Sequence, residues 1–217
     1  MKYIAGFLFF FIVGFAISFI YIQSKTAIPP NVSTEKKEIV QEFSLKNPPP
    51  ESLIGRVASK SGEILLQPRL ATEPASVKNI DKVLQGETIQ TGDDGIITVL
   101  FDGASSVSLQ HNSRIDFAQT IPSQFIYNQR VGTVHYTSNE KGQVSVRILH
   151  DLANLSSNTE ADIAQDSSVI TFSVHKGSLQ LAFNNLDIVT NTIRIDEGNK
   201  YIYNDEERSG ELSPIEE

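Results

Sequence analysis

The sequence contains no cysteine and no tryptophan, and only one methionine among its 217 residues. Without cysteine the chain cannot form disulfide bonds, zinc–thiolate sites, iron–sulfur clusters, a cysteine nucleophile or a lipid-modified cysteine. Basic residues are also scarce: 18 Lys and Arg stand against 26 Asp and Glu, which gives a net charge of −8 and a pI of about 5.0. Because nucleic-acid binding needs a basic face, this balance argues against a nucleic-acid partner.

Charge is absent altogether from one stretch near the amino terminus, residues 3–22. A helix of this length, at about 1.5 Å per residue, spans about 30 Å, the thickness of the hydrocarbon core of a bilayer. The run therefore predicts a transmembrane helix over residues 3–22, which would make the membrane one partner of the chain. A cleaved signal peptide and a buried helix of a soluble domain are the alternatives, although this run is longer than a typical signal core.

The orientation of the predicted span is indicated by its short leader, residues 1–2. Lys2 precedes the span, whereas three lysines (Lys25, Lys36 and Lys37) come after it and compete under the positive-inside rule. A leader of two residues before an apolar run is typical of a signal anchor, which exports the carboxy-terminal remainder of its chain. We therefore expect a short cytoplasmic leader and a single-pass protein of the cell envelope, with its carboxy-terminal domain outside the cytoplasm.

Two further segments have the composition of solvated chain. Residues 23–52 contain proline pairs and triplets at 29–30 and 48–50, around a stretch rich in Lys, Glu, Ser and Thr, and predict a Pro-rich linker. Residues 206–217 are rich in glutamate and predict an acidic disordered tail. Residues 53–205 remain for a single folded domain.

Alternation of apolar and polar residues indicates that this domain is all-β. The pattern is clear over 144–148, 179–183, 192–195 and 200–203, with turn residues between. Residues 96–101 are apolar on both faces and predict a central, covered strand, whereas the polar segment 150–164 predicts a loop or insertion. A dozen short strands in such a domain predict a β-sandwich, a jelly roll or a short β-solenoid.

A motif in the first half of the domain resembles the signature of the FecR domain family. That signature runs G-[DE]-x-[IL]-x-T-G-x-x-G, then an apolar strand, then D-G-S-x-[IVL], and residues 84–109 are similar to it. The matching residues are Gly86, Ile89, Thr91, Gly92, Gly95, Asp102 and Gly103. The resemblance covers 53–117 well and 168–203 loosely, and it departs at Ala104, where Ser is usual.

The motif residues suit a structural role, with glycines in turns and apolar residues in a core. The family takes its name from a regulator of ferric-citrate transport, which has a cytoplasmic sigma-binding region, one span and a periplasmic sensing domain. Because only Met1 and Lys2 precede the span here, we do not expect direct anti-sigma activity. The resemblance implies a membrane-anchored, extracytoplasmic FecR-like domain in the bacterial envelope.

The function expected from this layout is that of a non-enzymatic binding or assembly module. Its partner would be an envelope protein, a peptide or a polysaccharide. The alternative is an envelope-sensing signal transduction component related to sigma-factor regulators. No catalytic motif is present, so we predict no catalytic residues and no cofactor.

Metal binding is also not predicted. The four histidines match no zinc-binding spacing; they are His111, His135, His150 and His175. Of these, His135 and His175 fall on predicted strands, where they are exposed strand residues or, alternatively, a two-histidine metal pair. Three aspartates in turns (Asp93, Asp94 and Asp102) suit turn chemistry, with calcium binding as the alternative.

Overall fold

The computed structural model describes residues 47–216, and all regular structure in this part of the chain is β-strand. The strands are β1 (Gly55–Ser61), β2 (Ile64–Gln67), β3 (Ala75–Ser76), β4 (Lys82–Val83), β5 (Thr88–Thr91), β6 (Ile96–Phe101), β7 (Ser105–Leu109), β8 (Arg114–Ile121), β9 (Gln124–Ser138), β10 (Val144–Ile148), β11 (Asp151–Leu155), β12 (Thr159–Asp166), β13 (Val169–Lys176), β14 (Ser178–Asn184), β15 (Thr190–Asp196), β16 (Asn199–Asn204) and β17 (Ser209–Pro214). The all-β prediction is thus confirmed for the described residues.

The predicted transmembrane helix at 3–22, its leader and most of the predicted linker lie outside the described residues. Among residues 47–216, no helix has the length and hydropathy needed to cross a membrane. The membrane-spanning segment therefore remains a prediction from the sequence.

The strands form two sheets, and β9 belongs to both. Sheet 1 has the order β4-β1-β6-β7-β9-β12-β13-β16-β17. Sheet 2 has the order β3-β2-β5-β8-β9-β10-β11-β14-β15. All neighbours are antiparallel except β9 and β10, which run parallel in sheet 2.

Strand β9 passes from sheet 2 to sheet 1 at Gly132. The residues before it pair with β8 and β10, and the residues after it pair with β7 and β12. Gly132 has φ +85, and a Cβ at this position would lie 2.5 Å from Ser113 Cα and 2.6 Å from Asn112 O. Only glycine fits both the left-handed backbone and the contact with the neighbouring turn, so this residue allows one strand to serve both sheets.

After β9 the chain adds hairpins to the two sheets in turn. The hairpin β10–β11 joins sheet 2, β12–β13 joins sheet 1, β14–β15 joins sheet 2 and β16–β17 joins sheet 1. Each hairpin packs beside the previous one of its own sheet, β14 on β11 and β16 on β13. Turns that are distant in sequence are thereby stacked along one rim of the domain.

The core lies between the inner faces of the two sheets. Alternate residues of each strand are buried there, and five aromatic rings meet near the crossing of β9: Phe101, Phe117, Phe125, Tyr127 and Tyr136. The hydroxyl of Tyr127 donates to Ser105 Oγ at 3.2 Å, and that of Tyr136 donates to Gln129 Oε1 at 3.1 Å. Each buried aromatic contributes about 2–3 kcal/mol, and with both hydroxyls satisfied the burial carries little polar cost.

The structure corrects two predictions made from the sequence. Residues 150–164 are not a loop, because they contain β11 and most of β12. Residues 206–217 are not wholly disordered, because β17 (Ser209–Pro214) pairs with β16 over six residues. The segment 96–101 is a central strand as predicted, since β6 lies between β1 and β7, but its outer residues are only half-buried.

Candidate functional site

Residues of the predicted signature lie where β5 ends and the next turn begins. Ile89 is fully buried in the core, and Thr91 is 1% exposed. The Thr91 hydroxyl donates to Gln110 O at 2.6 Å and accepts from Ser113 N at 2.9 Å. This side chain ties the end of β5 to the turn between β7 and β8, which is a structural contact.

The glycines and aspartates of the signature also occupy turns. A Cβ on Gly95 would lie 2.2 Å from Glu63 O, so the backbones of two turns meet there with no room for a side chain. Asp94 Oδ1 accepts from Glu63 N at 2.9 Å, while Asp102 lies in another turn, 3.8 Å from Arg56 Nη2. The aspartates are therefore not gathered at one place, and no group of three His, Asp or Glu residues within 47–216 has the geometry to hold a metal ion.

Two of the four histidines meet on the outer face of sheet 1. His135 on β9 and His175 on β13 both contact Asp162 on β12, the strand between them. The distances are 2.7 Å from His135 Nδ1 to Asp162 Oδ1 and 2.7 Å from His175 Nε2 to Asp162 Oδ2. One carboxylate thus bridges two imidazoles, whose ring centroids lie 6.3 Å apart. We call these three residues the His–Asp–His cluster.

Each member of the His–Asp–His cluster is partly exposed, at 35–41% of its side chain. The hydrogen bond to Asp162 raises the pKa of His135 above its ordinary value, against the opposing effect of partial burial. Burial raises the pKa of Asp162, but the hydrogen bonds and charges of both histidines outweigh it, so that this pKa lies below its ordinary value. The cluster therefore holds a proton on His135 more tightly than a free imidazole does.

A second charged cluster lies at the rim formed by the stacked turns, and we call it the rim cluster. It consists of His150, Asp151, Asp205 and Arg208. His150 Nδ1 lies 2.9 Å from Asp205 Oδ2, and Arg208 Nη1 lies 3.3 Å from Asp205 Oδ1. Asp205 N also donates to Ser168 O at 2.8 Å, so three turns meet at this aspartate.

Within the rim cluster, Asp151 is the unusual residue. It is 3% exposed, and neither of its carboxyl oxygens has a hydrogen-bond partner among the described residues. Burial, followed by the charge of Asp205, raises the pKa of Asp151 from 3.8 to about 7, although the charges of Arg208 and His150 act in the opposite direction. This carboxyl changes its protonation near neutral pH, which ordinary aspartates do not.

Neither cluster was predicted from the sequence. His135 and Asp162 are 27 residues apart, and His150 and Asp205 are 55 residues apart, so only the strand register brings the partners together. The remaining histidine, His111, lies in the turn between β7 and β8 and joins neither cluster. A local signal existed for His135 and His175, because both fall on predicted strands, but it did not point to Asp162 between them.

The sequence matches no protein-family model and no curated protein. Two crystal structures, both of a candidate anti-sigma factor from Parabacteroides distasonis ATCC 8503, are similar to this chain in fold. The first has a TM-score of 0.50 and 11% identity over 58% of this chain and 59% of that chain. The second has a TM-score of 0.49 with the same identity and coverage. The chain thus spans about three-fifths of the solved protein, and at this identity the likeness is one of fold alone.

Proposed function

We propose that this chain is a non-enzymatic FecR-like sensory component that acts in envelope signalling related to sigma-factor regulation. The observation that carries the proposal is the fold likeness to a candidate anti-sigma factor, which extends over more than half of each chain. The signature-like residues from Gly86 to Gly103 support it from the sequence side. In this proposal the β-domain is displayed outside the cytoplasm and is anchored by residues 3–22.

Binding, rather than catalysis, is the activity proposed for the β-domain. The three residues of the His–Asp–His cluster hold one another, and His150 of the rim cluster is held by Asp205. The His–Asp–His cluster is partly exposed on an outer face and His150 is exposed at the rim, so a partner can reach both. Signalling would then consist of a partner docking on the domain and a change in the pairing of the membrane segment with a second protein.

An assembly module without a signalling role is the second candidate, and the open edges of both sheets favour it. In the described chain, β15 ends sheet 2 and β17 ends sheet 1, and both have one unpaired edge. An extended segment of another protein can add to such an edge through backbone hydrogen bonds. The two candidates differ in the identity of the partner, which makes them separable.

The experiment is crosslinking of the full chain in native membranes, followed by affinity capture and mass spectrometry. A matched control ends after residue 52, which keeps the predicted anchor and linker and removes the β-domain. The proposal expects a membrane-bound sigma-factor regulator or an outer-membrane receptor to be captured only with the full chain. Capture of secretion or cell-wall assembly proteins alone would favour the assembly module instead.

Topology is tested separately, because the proposal requires an exported domain. A reporter enzyme that is active only outside the cytoplasm is fused after Glu217, and a cytoplasm-specific reporter is fused at the same place as the control. The first fusion should be active and the second inactive. The reverse result contradicts an extracytoplasmic sensor.

A further inference from the structure

A cleft of about 310 Å³ opens on the outer face of sheet 2. It is lined by Asn128, Gln129, Arg130, Arg147 and Leu149. Its floor is the pairing of β9 with β10, the parallel pair of the domain, in which Asn128 lies opposite Arg147. Two arginines from neighbouring strands therefore face the same opening.

The charge of the cleft is opposite to that of the domain. Residues 53–217 contain 13 Lys and Arg against 22 Asp and Glu, a net charge of −9. In the cleft, Arg130 Nε donates to Asp116 Oδ2 at 2.8 Å, and Arg130 Nη2 lies 2.7 Å from the same oxygen, so one carboxylate neutralises one guanidinium. Arg147 is exposed and forms no ion pair with any residue of the described part. Arg130, Asp116 and Arg147 together therefore carry one net positive charge.

The two arginines are placed so that one anion in the cleft could contact both. Arg147 lies opposite Asn128, and Arg130 is two residues further along β9, so the two cations are diagonal neighbours on one face. Because Asp116 already neutralises Arg130, the unpaired charge is that of Arg147. A carboxylate in the cleft would form charge-assisted hydrogen bonds with the Arg147 guanidinium, whose forked donors bind such a group in pairs.

The remaining walls of the cleft suit a peptide. The Oδ1 atom of Asn128 is buried and has no hydrogen-bond partner in the described chain, so a backbone amide that entered the cleft beside it would satisfy this acceptor. Leu149 lies in the turn after β10 with φ +48 and is 48% exposed, a left-handed position that is costly for leucine. The turn thus holds an apolar side chain at the mouth of the cleft, two residues after Arg147.

We propose that this cleft binds the free carboxylate at the carboxy terminus of an extended peptide that ends in an apolar residue. Arg147 binds the carboxylate with help from Arg130, Asn128 bonds the last peptide group, and Leu149 packs against the last side chain. One net positive charge matches a carboxylate, whereas a doubly charged phosphate would leave an excess of negative charge. No aromatic ring lines the cleft to stack against a sugar. The proposal does not depend on a role in sigma-factor signalling.

The test measures binding of a labelled octapeptide of Gly, Ser and Ala that ends in Leu, by fluorescence anisotropy with the full chain. The same peptide with an amidated carboxy terminus is the ligand control. We expect the free acid to bind at least about tenfold more tightly than the amide, with an affinity that falls as salt is raised. Equal binding of the two peptides overturns the proposal, and this comparison needs no variant protein.

Variants locate the site. Arg147→Gln should weaken the acid peptide about tenfold and should abolish its advantage over the amide. Arg194→Gln is the matched control, because Arg194 is an exposed arginine on the outer face of the same sheet, paired with Asp196 at 2.7 Å. Leu149→Asn tolerates the left-handed backbone and should weaken the Leu-ending peptide but not a Gly-ending one.

Three results would contradict the assignment. The first is equal binding by Arg147→Gln and Arg194→Gln, and the second is tighter binding of inorganic phosphate than of the peptide. The third is tighter binding of a uronic acid trisaccharide, since this would make the ligand a sugar carboxylate. Thermal unfolding of each variant confirms that the exposed substitutions leave the domain folded.

Discussion

Replacing Asp151 by Asn should stabilise the protein at alkaline pH and leave it nearly unchanged at acidic pH. The side chain is 3% exposed, and neither of its carboxyl oxygens has a hydrogen-bond partner among the described residues. Ionisation therefore leaves an uncompensated charge beside Asp205, 54 positions further along the chain. Asn has almost the same size and carries no charge, so it avoids this cost at every pH.

The magnitude can be worked out from the pKa of the carboxyl. Its folded-state pKa is raised from 3.8 to about 7, so between these values the folded protein keeps a proton that the unfolded chain has lost. Protonated Asp151 therefore makes its full contribution to the free energy of unfolding below the pKa of the unfolded chain. This contribution is lost as the pH rises through the pKa of the folded state. A difference of about three pH units corresponds to about 4 kcal/mol. The gap between Asp151→Asn and the unsubstituted chain should therefore grow by about this amount from pH 4 to pH 8.

The assay is urea unfolding of the full chain at pH 4, 6 and 8, monitored by far-ultraviolet circular dichroism because the protein has no tryptophan. Asp187→Asn is the matched control, since Asp187 is exposed in the loop between β14 and β15. The difference in unfolding free energy between Asp187→Asn and the unsubstituted chain should not grow from pH 4 to pH 8. If the gap for Asp151→Asn is constant from pH 4 to pH 8, the carboxyl is not buried as a neutral group and the reasoning fails.

Three further predictions concern the motif threonine, the strand crossing and the His–Asp–His cluster. Thr91→Val should lower the free energy of unfolding by about 2–3 kcal/mol, because it leaves buried backbone groups without partners, whereas Thr91→Ser should cost about 1 kcal/mol or less. Gly132→Ala should cost several kcal/mol by thermal unfolding, on the order of 3, but Gly198→Ala, with φ +79 and open space around it, about 1 kcal/mol. In a proton NMR titration, Asp162→Asn should lower the pKa of His135; an unchanged value would contradict the hydrogen bond as its cause.

Strands with large apolar residues at alternate positions could be predicted from the sequence. The segment 144–148 coincides with β10, and 179–183, 192–195 and 200–203 fall within β14, β15 and β16. Here the inward side chains are Val, Leu, Ile and Tyr, so the period of two is obvious. The signature glycines Gly86 and Gly103 were identified by their turn context, and both have the positive φ that few other residues adopt.

The prediction of a loop or insertion at 150–164 was wrong because of the inward-facing residues of β11 and β12. Asp151 and Thr159 are polar, and Ala153 and Ala161 are small, yet all four are buried and alternate with half-buried neighbours. A pattern based on hydrophobicity does not detect an aspartate that the fold buries, and this burial raises the pKa of Asp151. The prediction for this segment was therefore wrong at the same residue that makes the rim cluster pH-sensitive.

The two clusters and the cleft could not have been predicted, because each depends on register between strands. Asp162 meets His135 only through the pairing of β12 with β9, and Arg147 meets Arg130 only through the parallel pairing of β10 with β9. A shift of one residue would move these side chains to the opposite face. Sequence patterns determine which residues face outward, whereas contacts across strands determine which of them act together.

One hairpin carries both the cleft and the rim cluster. Arg147 and Leu149 line the cleft, and the next two residues, His150 and Asp151, belong to the rim cluster. The turn between β10 and β11 thus borders the cleft on one side and, through His150, contacts Asp205 in the turn after β16 on the other. Because the inner faces of the sheets are packed and cannot adjust cheaply, differences in ligand or proton binding must be accommodated in such turns. Consequently we expect ligand binding at the proposed site and protonation of Asp151 to act on the same few residues of this turn, rather than on the core.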